Sequence, residues 1–253
     1  MQKYVIHPSS SLSFNVLYIV LELLFIDSAF SFLIPRKHLR RSVCRHSTAT
    51  TESLERTYGG IVYRTSVFNK EEYAIIAEDV ARVGTLVAES PTSMAKRRRG
   101  AILPSNSRTV QLFRHGSLQQ FVQQMTSSDY ELSEEVPIEI RSYDQAGACM
   151  AWHSDDILYQ DPPQVEIIWT LENTSDCQTM WKTTTGQVKS VETEKNSVIA
   201  LRAGGPEHCV TSLKRGKRII LKCVYASKKA TFVSQTQDAA QFQAVKTKKK
   251  KKR

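Results

Sequence analysis

The chain has 253 residues, 41% of them apolar, enough to bury the core of one ordinary domain with extensions at either end. Its formal charge of +10 comes from the termini: residues 1–51 are basic, Lys246 to Arg253 reads KTKKKKKR, and the middle is close to neutral, which argues against a domain that holds nucleic acid by its overall charge. Five cysteines, an odd number with no CxxC pair, argue against a disulfide framework and a Cys-rich zinc site and leave reduced, mostly buried thiols.

Val16 to Ile26 is an apolar run of about eleven residues that contains Glu22. It is short for a membrane span and suited to the h-region of a signal peptide, with Ala29 as a small residue for cleavage. From Phe30 to Thr51 the chain is basic (Arg36, Lys37, Arg40, Arg41, Arg45), hydroxylated and free of acids, the composition of a transit peptide. A signal peptide joined to a transit peptide at DSAF resembles the bipartite leader of proteins imported into the complex plastids of algae, with Phe30 first in the transit part. The expectation is a leader over 1–51 and a plastid destination; secretion, retention in the endoplasmic reticulum, a membrane anchor or a mitochondrial leader are the alternatives. No stable transmembrane anchor is expected.

The run FNKEEYAIIAEDVARVGTLV, 68–87, predicts a helix: Asn69 caps it, Glu72 closes a capping box, and Tyr73, Ile76, Val80, Val83 and Val87 keep helical spacing. GSLQQFVQQM, 116–125, repeats the logic with Ser117 as cap and Leu118, Phe121, Val122 and Met125 on the apolar side. Between them a loop is expected, with a short strand near Thr109–Phe113 and the basic cluster Lys96 to Arg99 in solvent or against a substrate. From Val136 onward short runs rich in Val, Ile and Thr, separated by Gly, Pro, Asn and Asp, predict about eight strands. The fold class is therefore α+β: a jelly-roll core with supporting N-terminal helices over 58–228, followed by a basic tail over 229–253 without order.

After the leader the chain has three histidines, His115, His153 and His208. His153 and Asp155 are two apart, and in extended chain they point to one side, roughly 7 Å apart along the backbone. His208 follows 53 residues later, room for several strands to bring it back. Two imidazoles and one carboxylate make the facial set of non-haem Fe(II) oxygenases, with positions left open for O2 and a cosubstrate. Asp156 is expected beside the ligands or in solvent, and His115 in a structural role. Ten residues past His208 stands Arg218, on one face of a strand with Ile220 and Val224. A guanidinium on an apolar face calls for an anion, and its planar fork suits a carboxylate. The turn KRGK, 214–217, is expected to fold this strand back beside that of His208. Lys222 shares the face and has no evident reason to.

His-x-Asp, a distant His and an Arg ten residues later resemble the 2-oxoglutarate/Fe(II)-dependent oxygenase superfamily, in its prolyl-4-hydroxylase-like branch. HCVTSLKRGKRIIL is similar to that branch's distal segment, with Val210 and Gly216 in place. IIWTLENTSDCQTMW resembles its central strand–turn–strand, with Thr179 and Trp181, and IRSYDQAG resembles the strand leading to His-x-Asp. The match covers 136–225; SDCQT stands where the branch has a Gly-Gly-x-Thr turn. The resemblance implies a double-stranded β-helix, Fe(II) on His153, Asp155 and His208, and Arg218 on the distal carboxylate of 2-oxoglutarate. It also implies Tyr143 as a hydroxyl to that carboxylate, although it stands one residue further from the His than the pattern has it. WHSDD also resembles the AlkB-type nucleic-acid demethylases, but their second arginine, six residues past the first, is Val224 here.

The implied activity is a dioxygenase that uses O2 and 2-oxoglutarate, releases succinate and CO2, and hydroxylates a protein side chain or small metabolite, with ascorbate as a further cofactor. Trp152 and Trp169 would shape the pocket or fill the core. The competing expectations are a catalytically silent metal-binding or interaction protein on the same scaffold and a nucleic-acid-modifying oxygenase. Nucleic acid is not the partner expected for the domain, with weak contact through the basic tail as the alternative.

Overall fold

The structure, a computed structural model, describes residues 60–91 and 93–233; the leader expected over 1–51 and most of the tail expected over 229–253 lie outside the described residues. The first elements are β1 (Ile61–Arg64), α1 (Lys70–Arg82), β2 (Val87–Ala88), β3 (Ala95–Lys96) and β4 (Arg99–Ile102). Then come α2 (Arg108–His115), α3 (Ser117–Met125), β5 (Tyr130–Leu132), β6 (Glu139–Tyr143), β7 (Cys149–His153) and β8 (Tyr159–Gln160). The last are β9 (Val165–Asn173), β10 (Thr179–Lys182), β11 (Val188–Val191), β12 (Ser197–Arg202), β13 (His208–Val210), β14 (Arg218–Ser227) and β15 (Thr231–Phe232).

Helix α1 starts where its capping box requires: the Asn69 side chain accepts from the Glu72 N–H at 2.9 Å, and Glu72 accepts from the Asn69 N–H at 3.0 Å. It stops at Arg82, short of the expected end at Val87, because Gly84 turns the chain at φ 79° and Val87 joins strand β2. The strand expected at Thr109–Phe113 is a second correction, since these residues lie inside α2. Ser107 accepts from the Val110 N–H, and the Asp79 carboxylate of α1 accepts from the Thr109 N–H and hydroxyl at 2.8 and 2.9 Å. Those bonds satisfy first-turn donors and outweigh the strand preference of Thr and Val. In α3 the cap position is Gly116 rather than Ser117, whose hydroxyl donates to Glu72 instead.

The strands form two antiparallel sheets of the jelly-roll kind. The larger has eight strands in the order β1-β12-β9-β14-β6-β4-β2, with β5 also on β14; the smaller has five, β11-β10-β13-β7-β3. Strands β8 and β15 form a separate pair. Alternation divides the larger sheet's residues between its two faces. Ile167, Trp169, Leu221 and Tyr225 pack with Ile76, Phe113, Leu118 and Val122 of the helices in one buried cluster. Trp169 is therefore core, with Phe68 edge-on at 5.3 Å and its indole N–H on Asn196. Burying each such side chain contributes roughly 1.5–3 kcal/mol, so the helices are held to the sheet mainly by this core. On the opposite face a second cluster, including Tyr143, Val210 and Ile220, joins residues of both sheets. Among the described residues Cys149, Cys177, Cys209 and Cys223 are free thiols.

Two crossings between the sheets position the site. The basic cluster is the first: Lys96 ends β3 in the smaller sheet and Arg99 begins β4 in the larger, so the chain passes between sheets at Arg97 and Arg98. It is not a simple solvated loop, because Arg98 is only 3% exposed. The turn at 214–217 is the second. It does not lay β14 beside β13; it carries the chain from β13 in the smaller sheet to β14 in the larger. Gly216 is required there: φ is 75°, and a Cβ would lie 2.1 Å from the Thr174 carbonyl oxygen.

Candidate metal centre

Strands β7 and β13 pair with His153 opposite His208. Opposed residues of an antiparallel pair share a face, and the ring centroids are 4.2 Å apart. Asp155 lies two residues past the end of β7, and its carbonyl accepts from the Gly204 N–H at 2.9 Å, which ties it to the loop before His208. Gln164, fully buried, accepts from the Leu158 and Tyr159 N–H groups and donates to the Asp156 carbonyl, so the segment after the ligand is held as well. His208 Nε2 stands 3.5 Å from Asp155 Oδ2, His153 Nε2 stands 4.0 Å from Oδ1, and the donor atoms of all three residues fall within 4.8 Å of one another.

The protonation states suit a cation. His153 Nδ1 is 2.8 Å from the Ala151 carbonyl and His208 Nδ1 is 3.2 Å from the Pro206 carbonyl. A carbonyl only accepts, so each Nδ1 carries the proton and each Nε2 presents its lone pair. Burial pushes the His153 imidazole down to about 4, helped by its neighbour His208, and burial lowers His208 too. Burial alone would raise the Asp155 carboxyl, but Lys222 with His208 outweighs it and holds the group well below the usual carboxylate range. Asp155 Oδ2 is buried without a hydrogen-bond partner. Two neutral nitrogens, one carboxylate and an orphaned oxygen fit a divalent ion that keeps open positions.

Lys222 now has a reason. Its ammonium lies 2.8 Å from Asp155 Oδ1 and 3.4 Å from Glu166 Oε2, reaching from the larger sheet to the ligand loop. Glu166 is 1% exposed, and burial raises its carboxyl to about 7. Lys222→Met should therefore destabilise the metal-free protein by about 3–5 kcal/mol in urea unfolding, because it leaves buried carboxylates without their cation. The loss should be smaller with metal bound, which neutralises Asp155, and adding Glu166→Gln should recover part of it. Equal losses with and without metal would refute this account.

The metal-facing side chains open on a cavity of about 400 Å³ that also holds Arg218, Tyr143, Thr179 and Arg98. Arg218 begins β14 opposite Tyr143 of β6 and is 1% exposed. Its Nη1 donates to Thr179 Oγ1 at 3.0 Å, its Nε has no partner, and no carboxylate among the described residues pairs with it. Burial lowers its pKa from an ordinary value so high that the group stays a cation. The structure thus brings His153, Asp155, His208, Arg218 and Tyr143 into one cavity. Asp156 is exposed and lines an adjoining cavity of about 410 Å³, which shares Arg141 and Lys222 with the first. Trp152 stacks under Lys182 with the ammonium 5.2 Å from the ring, and His115 is exposed at the end of α2. Arg98 and Lys222 are the site residues without a role in the sequence reading. The only sequence sign of Lys222 was a cation on an inward face, and nothing singled out Arg98 within its basic run.

No family model matches the sequence, and no curated protein matches it. Solved structures do. A prolyl-4-hydroxylase from Pseudomonas putida matches at 16% identity and a TM-score of 0.53, over 68% of this chain and 94% of that one. HygX from Streptomyces hygroscopicus, solved with nickel and 2-oxoglutarate bound, matches at 13% identity and a TM-score of 0.55, over 71% and 87%. The non-heme alpha ketoglutarate dependent epimerase SnoN from nogalamycin biosynthesis matches at 13% identity and a TM-score of 0.60, over 72% and 83%.

Proposed function

We propose that this chain, which has the fold of the 2-oxoglutarate/Fe(II)-dependent oxygenases in their prolyl-4-hydroxylase-like form, is a working dioxygenase that hydroxylates a substrate and releases succinate and CO2. The observation that carries the reading is the buried, acid-free Arg218 in one cavity with His153, Asp155 and His208. Fe(II) with 2-oxoglutarate and O2 would supply the oxidative decarboxylation that places one oxygen atom on the substrate; ascorbate would serve as a reductant. The chain's part is geometric and electrostatic. His153, Asp155 and His208 would hold the iron, and Arg218, steadied by Thr179, would bind the distal carboxylate with Tyr143 beside it. The facing sheets of the described residues support a double-stranded β-helix within the domain expected over 58–228, with α1, α2 and α3 as its support.

The adjoining cavity, sharing Arg141 and Lys222 with the metal cavity, is the proposed place for the part of the substrate next to its reacting group, which must itself reach the metal cavity. Apolar walls from Val136, Pro137, Leu158 and Val224 beside the charged Glu139, Arg141 and Lys222 suit a side chain or a small metabolite. Solved neighbours include both kinds: a prolyl hydroxylase from Trichoplax adhaerens in complex with a hypoxia inducible factor peptide fragment, and SnoN with Fe3+, alpha ketoglutarate and nogalamycin RO. A silent scaffold would be expected to lack part of the His-Asp-His group or its neighbouring arginine, and the co-location of His153, Asp155, His208 and Arg218 in one cavity supports the active reading. The test is anaerobic loading with Fe(II) and 2-oxoglutarate, then O2, with succinate measured against peptide and metabolite panels and the product identified by mass. Absence of the metal-to-ligand charge-transfer band on adding 2-oxoglutarate would reject the reading.

The leader supports a plastid address, by its apolar run and acid-free basic segment. A fluorescent protein fused to residues 1–55 should enter the plastid of an alga with a complex plastid. Cytosolic, nuclear or secreted fluorescence would end the proposal. Among the described residues no helix is long and apolar enough to cross a membrane.

A further inference from the structure

We propose that Arg98 is a positioning residue of the anion pocket: by donating to the Tyr143 phenol oxygen it turns that hydroxyl's own proton toward the carboxylate held by Arg218. The proposal rests on the reading of this cavity as a 2-oxoglutarate site. Its basis is the crossing between sheets at Arg97 and Arg98, where φ of Arg97 is 55° and the Arg98 side chain enters the space between them.

Three contacts fix the Arg98 guanidinium. Nε and Nη2 face the Glu89 carboxylate, with Nη2 at 3.0 Å from Oε2, and both side chains are at most 3% exposed. Nη1 lies 3.0 Å from the Tyr143 hydroxyl. A guanidinium has only donors, so the phenol oxygen accepts here and its proton must point elsewhere. No acceptor among the described residues takes that proton. Arg218 presents an Nε that also lacks a partner, in the same cavity. Two donors without acceptors among the described residues thus belong to side chains that line one cavity, which calls for an anion. The guanidinium carbons of Arg98 and Arg218 lie 5.6 and 5.9 Å from the Tyr143 ring centroid, yet they differ in charge balance. Glu89 neutralises Arg98, while no described carboxylate neutralises Arg218. Arg218 therefore supplies the charge that attracts the carboxylate, and Arg98, through Tyr143, supplies direction.

The experiment uses the full chain loaded anaerobically with Fe(II), and reads affinity from the charge-transfer band for 2-oxoglutarate and for 2-oxobutyrate, which lacks the distal carboxylate. Tyr143→Phe should weaken 2-oxoglutarate by about tenfold to a hundredfold, the worth of a hydrogen bond to a charged group. Arg98→Lys, which can keep the pair with Glu89 but not the three-point fork, should weaken it by at least severalfold. In a Tyr143→Phe background the same Arg98→Lys change should add nothing. Binding of 2-oxobutyrate should be the same in all variants and parent. Equal losses for both 2-oxo acids would make Arg98 a support of the fold alone and overturn the proposal, as would unchanged 2-oxoglutarate affinity in Tyr143→Phe. Failure of the parent itself to bind 2-oxoglutarate would instead overturn the functional reading beneath it.

Discussion

His208→Ala should take bound Fe(II) from one per chain to none under conditions that saturate the parent. The side chain is one of three convergent metal-binding side chains proposed above and presents a neutral Nε2 whose orientation is set by Nδ1 on the Pro206 carbonyl. Losing only the group that orients a ligand costs about 10–100-fold in metal affinity, so losing the ligand should cost more than about 100-fold. The fold should survive. Asp155 keeps Lys222, and an alanine at this 5% exposed position leaves a void whose cost, about 1–3 kcal/mol, falls within the ordinary range for a single change. Two measurements separate lost binding from lost folding: iron content after anaerobic loading, and the rise in Tm on adding Fe(II), which the parent shows and the variant lacks. Unchanged iron stoichiometry in both His153→Ala and His208→Ala would reject the centre.

Arg218 should give the second large effect, with opposite signs for affinity and stability. Arg218→Ala removes a charge-assisted pair in a largely dry cavity, which costs on the order of 2–5 kcal/mol, or roughly 30-fold to several-thousand-fold in 2-oxoglutarate affinity. Arg218→Lys should be milder, since a point charge keeps much of the attraction and loses the fork. Iron binding should not change. Arg218→Met is the more telling variant because it keeps the volume and deletes a buried cation that no described carboxylate balances. Replacing buried charge by well-packed apolar groups commonly stabilises by about 1–4 kcal/mol, so the metal-free Arg218→Met protein should melt higher than the parent while failing to bind 2-oxoglutarate. A parent-like affinity in Arg218→Ala would show that the anion is held elsewhere.

Residue chemistry and spacing made the convergent group His153, Asp155 and His208 legible in the sequence. A His-x-Asp, a second His and a distant Arg keep their meaning whatever sheet they occupy. The central strands were legible for a similar reason, because Val, Ile and Thr in short punctuated runs report local preference. What was not legible depends on partners far along the chain. Helix α2 reads locally as a strand and becomes a helix because Asp79, thirty residues earlier, accepts from Thr109. The turn at 214–217 reads as a hairpin, yet its outcome is a change of sheet, decided by the close approach of Gly216 to Thr174. Arg98 and Lys222 are ordinary surface residues by type. Their burial comes from where the chain crosses between sheets, and their partners Glu89, Tyr143, Asp155 and Glu166 are nine or more residues away in sequence.

The division of the site between the two sheets has a mechanical consequence. His153 and His208 belong to the smaller sheet, with Asp155 on the adjoining loop, and Arg218 belongs to the larger. A dicarboxylate held by the metal at one end and by Arg218 at the other is then a brace that spans two leaves. Without it, the leaves near the site are joined by apolar contacts, by the Arg218 bond to Thr179 and by the reach of Lys222 to Asp155. On the proposed function, loading the cosubstrate would also stiffen the domain and spending it would slacken the domain, so the smaller leaf should breathe in step with turnover.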